Sequence, residues 1–289
     1  GYSYWAFNDY RLQPENGNLA MRLQALPLLP MGLRFPSFAT EEWRQSRAND
    51  VGQKFVFGLG NPFADMLGRA RAMVALFGLL ALWLIWRWSR GVFGPGAGWL
   101  ALGTAAFCPT LLAHAGLATS DLAITAGLLA AVTRCWQLLH RVTWLRLVLA
   151  VLAASAALLA KFSAVLLAPI AVLLLLIRWM HPAPLVVELR GRARWIRDRR
   201  ALMGLTLAMS VGIAGLSVVN VWAAYGFRYS AFNPQLLPPG EPAPAFAWSR
   251  IFDEPEPAPR LGRISAAAGV TIGRSSAAPD FPTRAIAVA

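Results

Sequence analysis

Few residues in this chain could do chemistry, and they lie in apolar surroundings. Asp121 is the only acidic residue between Arg69 and Arg178. It sits in Ala118-Thr119-Ser120-Asp121-Leu122 and has two readings. Thr119, Ser120 and Asp121 are all good helix-capping types; an ionisable residue at membrane depth is also a functional candidate by default. His114, shortly before it, reads either as a structural histidine or as a partner for a bound group. Lys161 interrupts a long apolar block. It is either a side chain snorkelling to an interface or a cation for a phosphate group. Arg69 and Arg228 are further cations beside the first and last apolar runs. A carboxylate with several cations at one end of a bundle suits a lipid-linked phosphate, because the cations counter the charge on an anionic leaving group. A transporter or flippase component for an anionic lipid would carry the same set. No Cys or His pair stands at metal-ligand spacing. No Gly-rich nucleotide motif is present, so no nucleotide cofactor is expected.

The elements that must hold these residues are apolar helices. Of the 289 residues, 57% are hydrophobic and 14% charged, against roughly 45–50% apolar and about 25% charged in soluble domains. That composition excludes an ordinary soluble enzyme, a disordered chain and a nucleic-acid-binding domain. The net charge of +13 therefore reads as basic loops on one side of a membrane, not as a nucleic-acid footprint. Cys108 and Cys135 both fall in apolar runs and imply no disulfide framework. A membrane span needs about 20 apolar residues, with a lower limit near 17. Six stretches come close: 70–86, 97–113, 122–139, 145–160, 162–179 and 201–223. The fourth and fifth are separated only by Lys161. A single helix over 147–177 would be about 46 Å long, against a hydrocarbon core of about 30 Å. A hairpin with Lys161 at an interface is therefore expected. The fold class is all-α: a polytopic transmembrane helical bundle of about six spans, with an N-terminal extracytoplasmic loop carrying interfacial helices. Trp83, Trp86, Trp88, Trp99, Trp136, Trp144, Trp179 and Trp222 lie near the expected helix ends, where amphipathic rings prefer to sit.

Alternating the loops puts Arg87, Arg90, Arg134, Arg141, Arg146, Arg178, Arg190, Arg192, Arg194, Arg197, Arg199 and Arg200 on one side. The short loops of the other side receive His114, Asp121 and Lys161. The basic side is expected to be cytoplasmic; the Arg run after Leu189 reads as a determinant of that topology, with an anionic-lipid site as its sharper reading. The chain divides into 1–68, an extracytoplasmic loop; 69–230, the helical bundle; and 231–289, a Pro-rich tail expected to be disordered or non-native. Within the first segment, 19–29 fits a short helix lying in the interface. Thr40-Glu41-Glu42 suits a helix start.

Four passages together resemble a known family. They are Gly1-Tyr2-Ser3-Tyr4-Trp5 with Asp9-Tyr10-Arg11-Leu12-Gln13-Pro14-Glu15; 97–121, with Phe107-Cys108-Pro109 through His114 and Leu117 through Asp121; Leu158 through Ala164, around Lys161; and Trp222-Ala223-Ala224-Tyr225-Gly226-Phe227-Arg228-Tyr229-Ser230. In order and spacing the set resembles the bacterial branch of the C-type glycosyltransferases, the group of dolichyl-phosphate-mannose protein mannosyltransferases and aminoarabinose lipid A transferases. The resemblance implies a polyprenyl-phosphate sugar donor, a lipid, glycan or protein hydroxyl as acceptor, and work on the extracytoplasmic face of a bacterial inner membrane. A divalent metal ion could assist. It implies Asp121 as an active-site carboxylate and Lys161 toward substrate phosphate, with His114 and Arg228 in the matching passages and Arg69, a cation beside the first span, as further candidates for that phosphate. Glu15 would lie near the donor phosphate or the metal. The acceptor's base would be an Asp-Glu pair upstream of Gly1, so residues 1–289 alone would lack it, as a truncated reading frame would. Asp9 is the nearest carboxylate that remains. The sequence departs from the family at Pro14-Glu15-Asn16-Gly17-Asn18-Leu19, where a His and two prolines are usual, and at Met21, where a Lys is usual. The runner-up class is a secondary transporter or flippase component for an anionic lipid-linked substrate.

Overall fold

The computed structural model describes residues 1–13, 16–189, 191–228 and 230–237. The expected tail beyond 237 lies outside the described residues, as does Glu15. The described chain is mostly helical. Short helices α1 (Tyr2–Ala6), α2 (Asn18–Ala25), α3 (Glu41–Arg44) and α4 (Ala48–Gln53) precede the long α5 (Phe63–Phe93). Then come α6 (Pro95–Ala106), α7 (Pro109–Ala115), α8 (Asp121–His140), α9 (Trp144–Ala160), α10 (Leu167–Met180) and α11 (Arg199–Ala224).

Four helical segments are long and apolar enough to cross a membrane: Phe63–Phe93, Asp121–His140, Phe162–Met180 and Arg199–Ala224. A fifth arises if α6 and α7, bent by 60°, count as one span. The bend has a local cause: Pro109 opens α7, and Cys108 before it is extended at ψ 119°, as the residue preceding a proline must be. α9 has 17 residues, about 25 Å of helix, which is short of the hydrocarbon core. All six apolar stretches are thus helical, and four to five of them have spanning length. Lys161 ends α9 with extended backbone (φ −164°, ψ 151°), so the expected break between the fourth and fifth stretches is present.

The helices approach closely where their facing residues are small. A Cβ on Gly127 of α8 would lie 2.9 Å from the Ala157 Cα of α9. Ala123, Ile124, Ala157, Ala160 and Ala164 form a buried cluster there. Small residues suit such contacts because helix association in lipid depends on close packing and not on water exclusion. Polar side chains add bonds across the bundle. Asn220 of α11 donates to the Ser155 Oγ of α9 at 3.0 Å, and the Trp179 indole donates to the Thr206 Oγ1 at 3.0 Å.

At one end of the bundle the all-α expectation needs correction. Strands β1 (Arg141–Thr143), β2 (Leu185–Leu189) and β3 (Arg192–Ile196) form a three-stranded sheet in the order β1-β2-β3. β1 runs parallel to β2, and β2 pairs antiparallel with β3. Alternation explains it: Val142 and Leu185 face a core with Leu138, Ala150 and Leu202. Arg178 is also buried there, donating to the carbonyls of Leu139 at 2.7 Å and Ala183 at 2.9 Å. It satisfies carbonyls beyond and at the end of α8, so it is structural as well as a loop charge.

The other end is closed by the N-terminal segment. Over the stretch 19–29, expected as a short interfacial helix, α2 and the turn after it pack against the bundle. Ala20 of α2 is fully buried against the Ala123–Ala157 cluster, and Asn18 donates to the Ala224 carbonyl at the end of α11, at 3.2 Å. Glu41 does open a helix after Thr40. The expected tail boundary at 231 also shifts, because Ala231 accepts from the Tyr10 amide at 2.8 Å and Phe232 is buried.

Candidate functional site

Asp121 is the first residue of α8, and Ser120 before it holds the cap position without a side-chain capping bond. The Asp121 carboxylate therefore does not cap its own helix. Its Oδ1 accepts from the Lys161 Nζ at 2.7 Å, and its Oδ2 lies 3.4 Å from the His114 Nδ1. Three of the expected residues, which come from the end of α7, the start of α8 and the end of α9, thus meet at one point. Their side chains remain 33%, 36% and 38% exposed for Asp121, Lys161 and His114. An ion pair this open contributes about 0–1 kcal/mol to stability. The bundle does not depend on it, and the charges stay accessible to a bound molecule.

Asp121 and Lys161 open onto a cavity of about 660 Å³, lined also by Tyr2, Gln13, Asn16, Gln24 and Phe63, among others; His114 does not line it. One wall is the N-terminal segment and the other is the starts of α5 and α8. Aromatic rings, side-chain amides and one charged pair make up its polar and apolar halves. α2 is fastened over it by two contacts. Gln24 donates to the Thr119 carbonyl, in the loop that leads to Asp121, at 2.8 Å. At Gly17 a Cβ would run into the Leu159 carbonyl, so only glycine lets this backbone sit on the end of α9 beside Lys161.

The other expected residues lie elsewhere. Asp9 is fully buried and bonded on both oxygens. Arg11 donates to Oδ1 from Nε at 2.9 Å and to Oδ2 from Nη2 at 2.8 Å, and the Asn233 amide donates to Oδ2 at 2.9 Å. The Arg11 guanidinium is in turn stacked over Trp43 at 4.4 Å and Phe232 at 4.9 Å. Asp9 is a clamp joining the N-terminal segment to the chain after α11, and it does not line the cavity. Arg69 is exposed and donates to the Pro27 carbonyl at 3.2 Å. Arg228 donates to the Asn8 carbonyl at 2.9 Å and lies over Tyr10. Neither cation lines the cavity. Gln24, Asn18 and Gly17 were not singled out from the sequence as site residues. The available signal was a polar interruption of an apolar run, which reads equally well as an interfacial helix.

A divalent ion at Asp121 would sit beside the Lys161 ammonium. Among the described residues, no group of three or more His, Cys, Asp or Glu converges. Glu15, the residue expected near a metal, lies outside the described residues. Compared with protein-family models, curated proteins and solved structures, the chain matches none of them.

Proposed function

We propose that this chain is part of a membrane glycosyltransferase that moves a sugar from a polyprenyl-phosphate donor to a hydroxyl acceptor on the extracytoplasmic face. The observation that carries the reading is the Asp121–Lys161 pair, 2.7 Å apart and partly open at the wall of a cavity of about 660 Å³. In the transfer, the bond between the sugar's anomeric carbon and the phosphate oxygen breaks, and its electron pair leaves with the polyprenyl phosphate. A bond forms from the acceptor oxygen to that carbon, and the acceptor's proton passes to a carboxylate base. Such a proton must leave in the transition state because a hydroxyl is otherwise a weak nucleophile. The family resemblance places that base upstream of Gly1.

Lys161 is suited to the departing phosphate. Its ammonium has three donors, only one of which is needed by Asp121, and charge that develops in the transition state is where a fixed cation acts most strongly. Asp121 holds the ammonium in place and offers its second oxygen, on the His114 side, to an acceptor or sugar hydroxyl. Gln13, Asn16 and Gln24 supply amide groups of the kind that pair with sugar hydroxyls. Six spans, with the basic loops cytoplasmic, would place this cavity outside the cell.

The test is transfer of labelled sugar from a polyprenyl phosphate by membranes carrying the complete protein. Lys161→Gln and Asp121→Asn are each expected to lower transfer roughly 100-fold or more, the scale for losing one positioned charge-stabilising group. Unchanged transfer in both variants overturns the assignment. Movement of the lipid across the bilayer with no sugar transferred favours the flippase class instead.

A further inference from the structure

We propose that the sheet end of the bundle binds the headgroup of an anionic phospholipid among Arg134, Arg141 and Arg146. Two of these guanidiniums are pinned on one residue near the end of α8. Arg146 donates from Nη1 to the Gln137 carbonyl at 2.9 Å, and Arg134 donates from Nη1 to the Gln137 Oε1 at 3.1 Å. Arg146 also reaches the Arg141 carbonyl at 3.2 Å. Arg141 pairs across the sheet with Glu188, whose Oε2 accepts from the Arg141 Nε at 2.9 Å. Three positive charges and one carboxylate therefore share this corner, and the charges of Arg141 and Arg134 act unfavourably on Arg146. A phosphate anion relieves that repulsion. The guanidiniums of Arg134 and Arg146, each bonded through Nη1 alone, keep other N–H groups to present to phosphate oxygens, whereas Arg141 spends Nε and Nη2 on Glu188 and has Nη1 left.

The surroundings point to a phosphate on a lipid and not to one free in solution. Trp144, the first residue of α9, is 57% exposed, and Leu145 after it is 68% exposed. Trp195 on β3 is 63% exposed and stands in register with Arg141 through Val186. Paired positions share a sheet face, so Trp195 and Arg141 lie on the same face. Indole rings settle at headgroup depth, which sets the guanidiniums at the level of phospholipid phosphates and the apolar side of α9 along the acyl chains. Basic groups placed at that level attract anionic lipids. The inference does not depend on the glycosyltransferase reading.

The experiment is native mass spectrometry of the full chain, released from micelles holding equal amounts of phosphatidylglycerol and phosphatidylcholine with matched acyl chains. Phosphatidylglycerol is expected to be retained preferentially. Arg134→Gln and Arg141→Gln are expected each to reduce the preference about five-fold, whereas Arg87→Gln, within α5, leaves it unchanged. Equal retention of the two lipids by the unaltered chain overturns the proposal, whatever the variants do to folding. An equal loss in Arg87→Gln overturns the assignment to this corner. Displacement of bound phosphatidylglycerol by excess inorganic phosphate overturns the lipid source.

Discussion

Lys161 has to serve both a carboxylate and, in the proposed reaction, a phosphate, and substitutions separate the two roles. Lys161→Arg keeps the charge and the bond to Asp121 but replaces a point charge with a planar fork. It should therefore retain part of the transfer that Lys161→Gln loses, which transfer assays on the two variants will show. Asp9 is expected to behave differently. Its carboxylate is fully buried against Arg11, so Asp9→Asn leaves a buried guanidinium without its counter-charge. Breaking such a pair costs about 3–5 kcal/mol, to be read as a lowered thermal unfolding midpoint of the purified chain. Paired replacement of Asp9 and Arg11 by apolar residues should cost less. Titration enters at Glu42. The Lys54 ammonium, donating at 2.7 Å, holds the Glu42 carboxyl below the usual carboxylate range. A depressed carboxylate stabilises the fold above its ordinary pKa, and that contribution is lost as pH falls through the depressed value. Amide protection in 48–58, measured against the intrinsic exchange rate at each pH, should therefore fall on acidification, and Glu42→Gln should abolish that pH dependence. At this scale the sequence was informative where a charge interrupts apolar residues: Asp121, His114 and Lys161 do converge. It could not separate Asp9 from a site carboxylate, because the partners that saturate it include Asn233, far along the chain.

Helix α2 shows how an element can be legible in outline while its partners are not. Its apolar residues and polar interruptions predict a helix, and Asn18–Ala25 is one. What the sequence lacks is the partner surface. Ala20 is the buried contact, and alanine carries little hydropathy signal of its own, whereas Asn18 and Gln24 look like solvent-facing groups until their carbonyl partners at Ala224 and Thr119 are known. The small sheet escaped for a related reason. Leu185–Leu189 and Arg192–Ile196 are short, and arginines crowd the second strand and stand just before it at Arg190, so the charge count dominated the period-two alternation that puts Val187 and Ile196 on the core side. The long apolar helices were readable because their signal is their own length. Gly17→Ala tests the α2 placement: the added methyl meets the Leu159 carbonyl, so α2 must shift. Faster amide exchange across α2 is expected, along with a thermal midpoint lowered by the equivalent of roughly 1–3 kcal/mol, the usual cost of an overpacked site. Gly68→Ala, where a Cβ meets open space in α5, should leave exchange across α2 unchanged and should not lower the midpoint, since alanine favours a helix interior over glycine.

On the scale of the whole molecule, the chain is polarised along its helices. α8 begins at the Asp121–Lys161 pair and ends beside Arg178. The cavity with its N-terminal wall and the arginine-bearing sheet therefore occupy opposite ends of the same bundle. The loop count along the sequence made the same division, with His114, Asp121 and Lys161 on one side and the arginines of 134–146 and 178–200 on the other. An arrangement of six spans accounts for both, and it requires the short α9 to cross as one half of a hairpin with 162–180. Basic loops are retained on the cytoplasmic side during insertion, so the cavity end should face outward. With Cys108 and Cys135 replaced by serine, single cysteines at Ser37→Cys and Arg197→Cys, both exposed positions, should react with a membrane-impermeant maleimide from opposite sides. The first should label in intact cells and the second only after the membrane is opened. Labelling of both from outside would mean an even number of crossings between the two positions, so that either α9 or the bent α6–α7 pair does not cross, and would overturn the six-span arrangement. Labelling of Arg197→Cys alone from outside would reverse the orientation and place the Asp121 cavity in the cytoplasm, where a polyprenyl-phosphate donor on the outer face could not reach it.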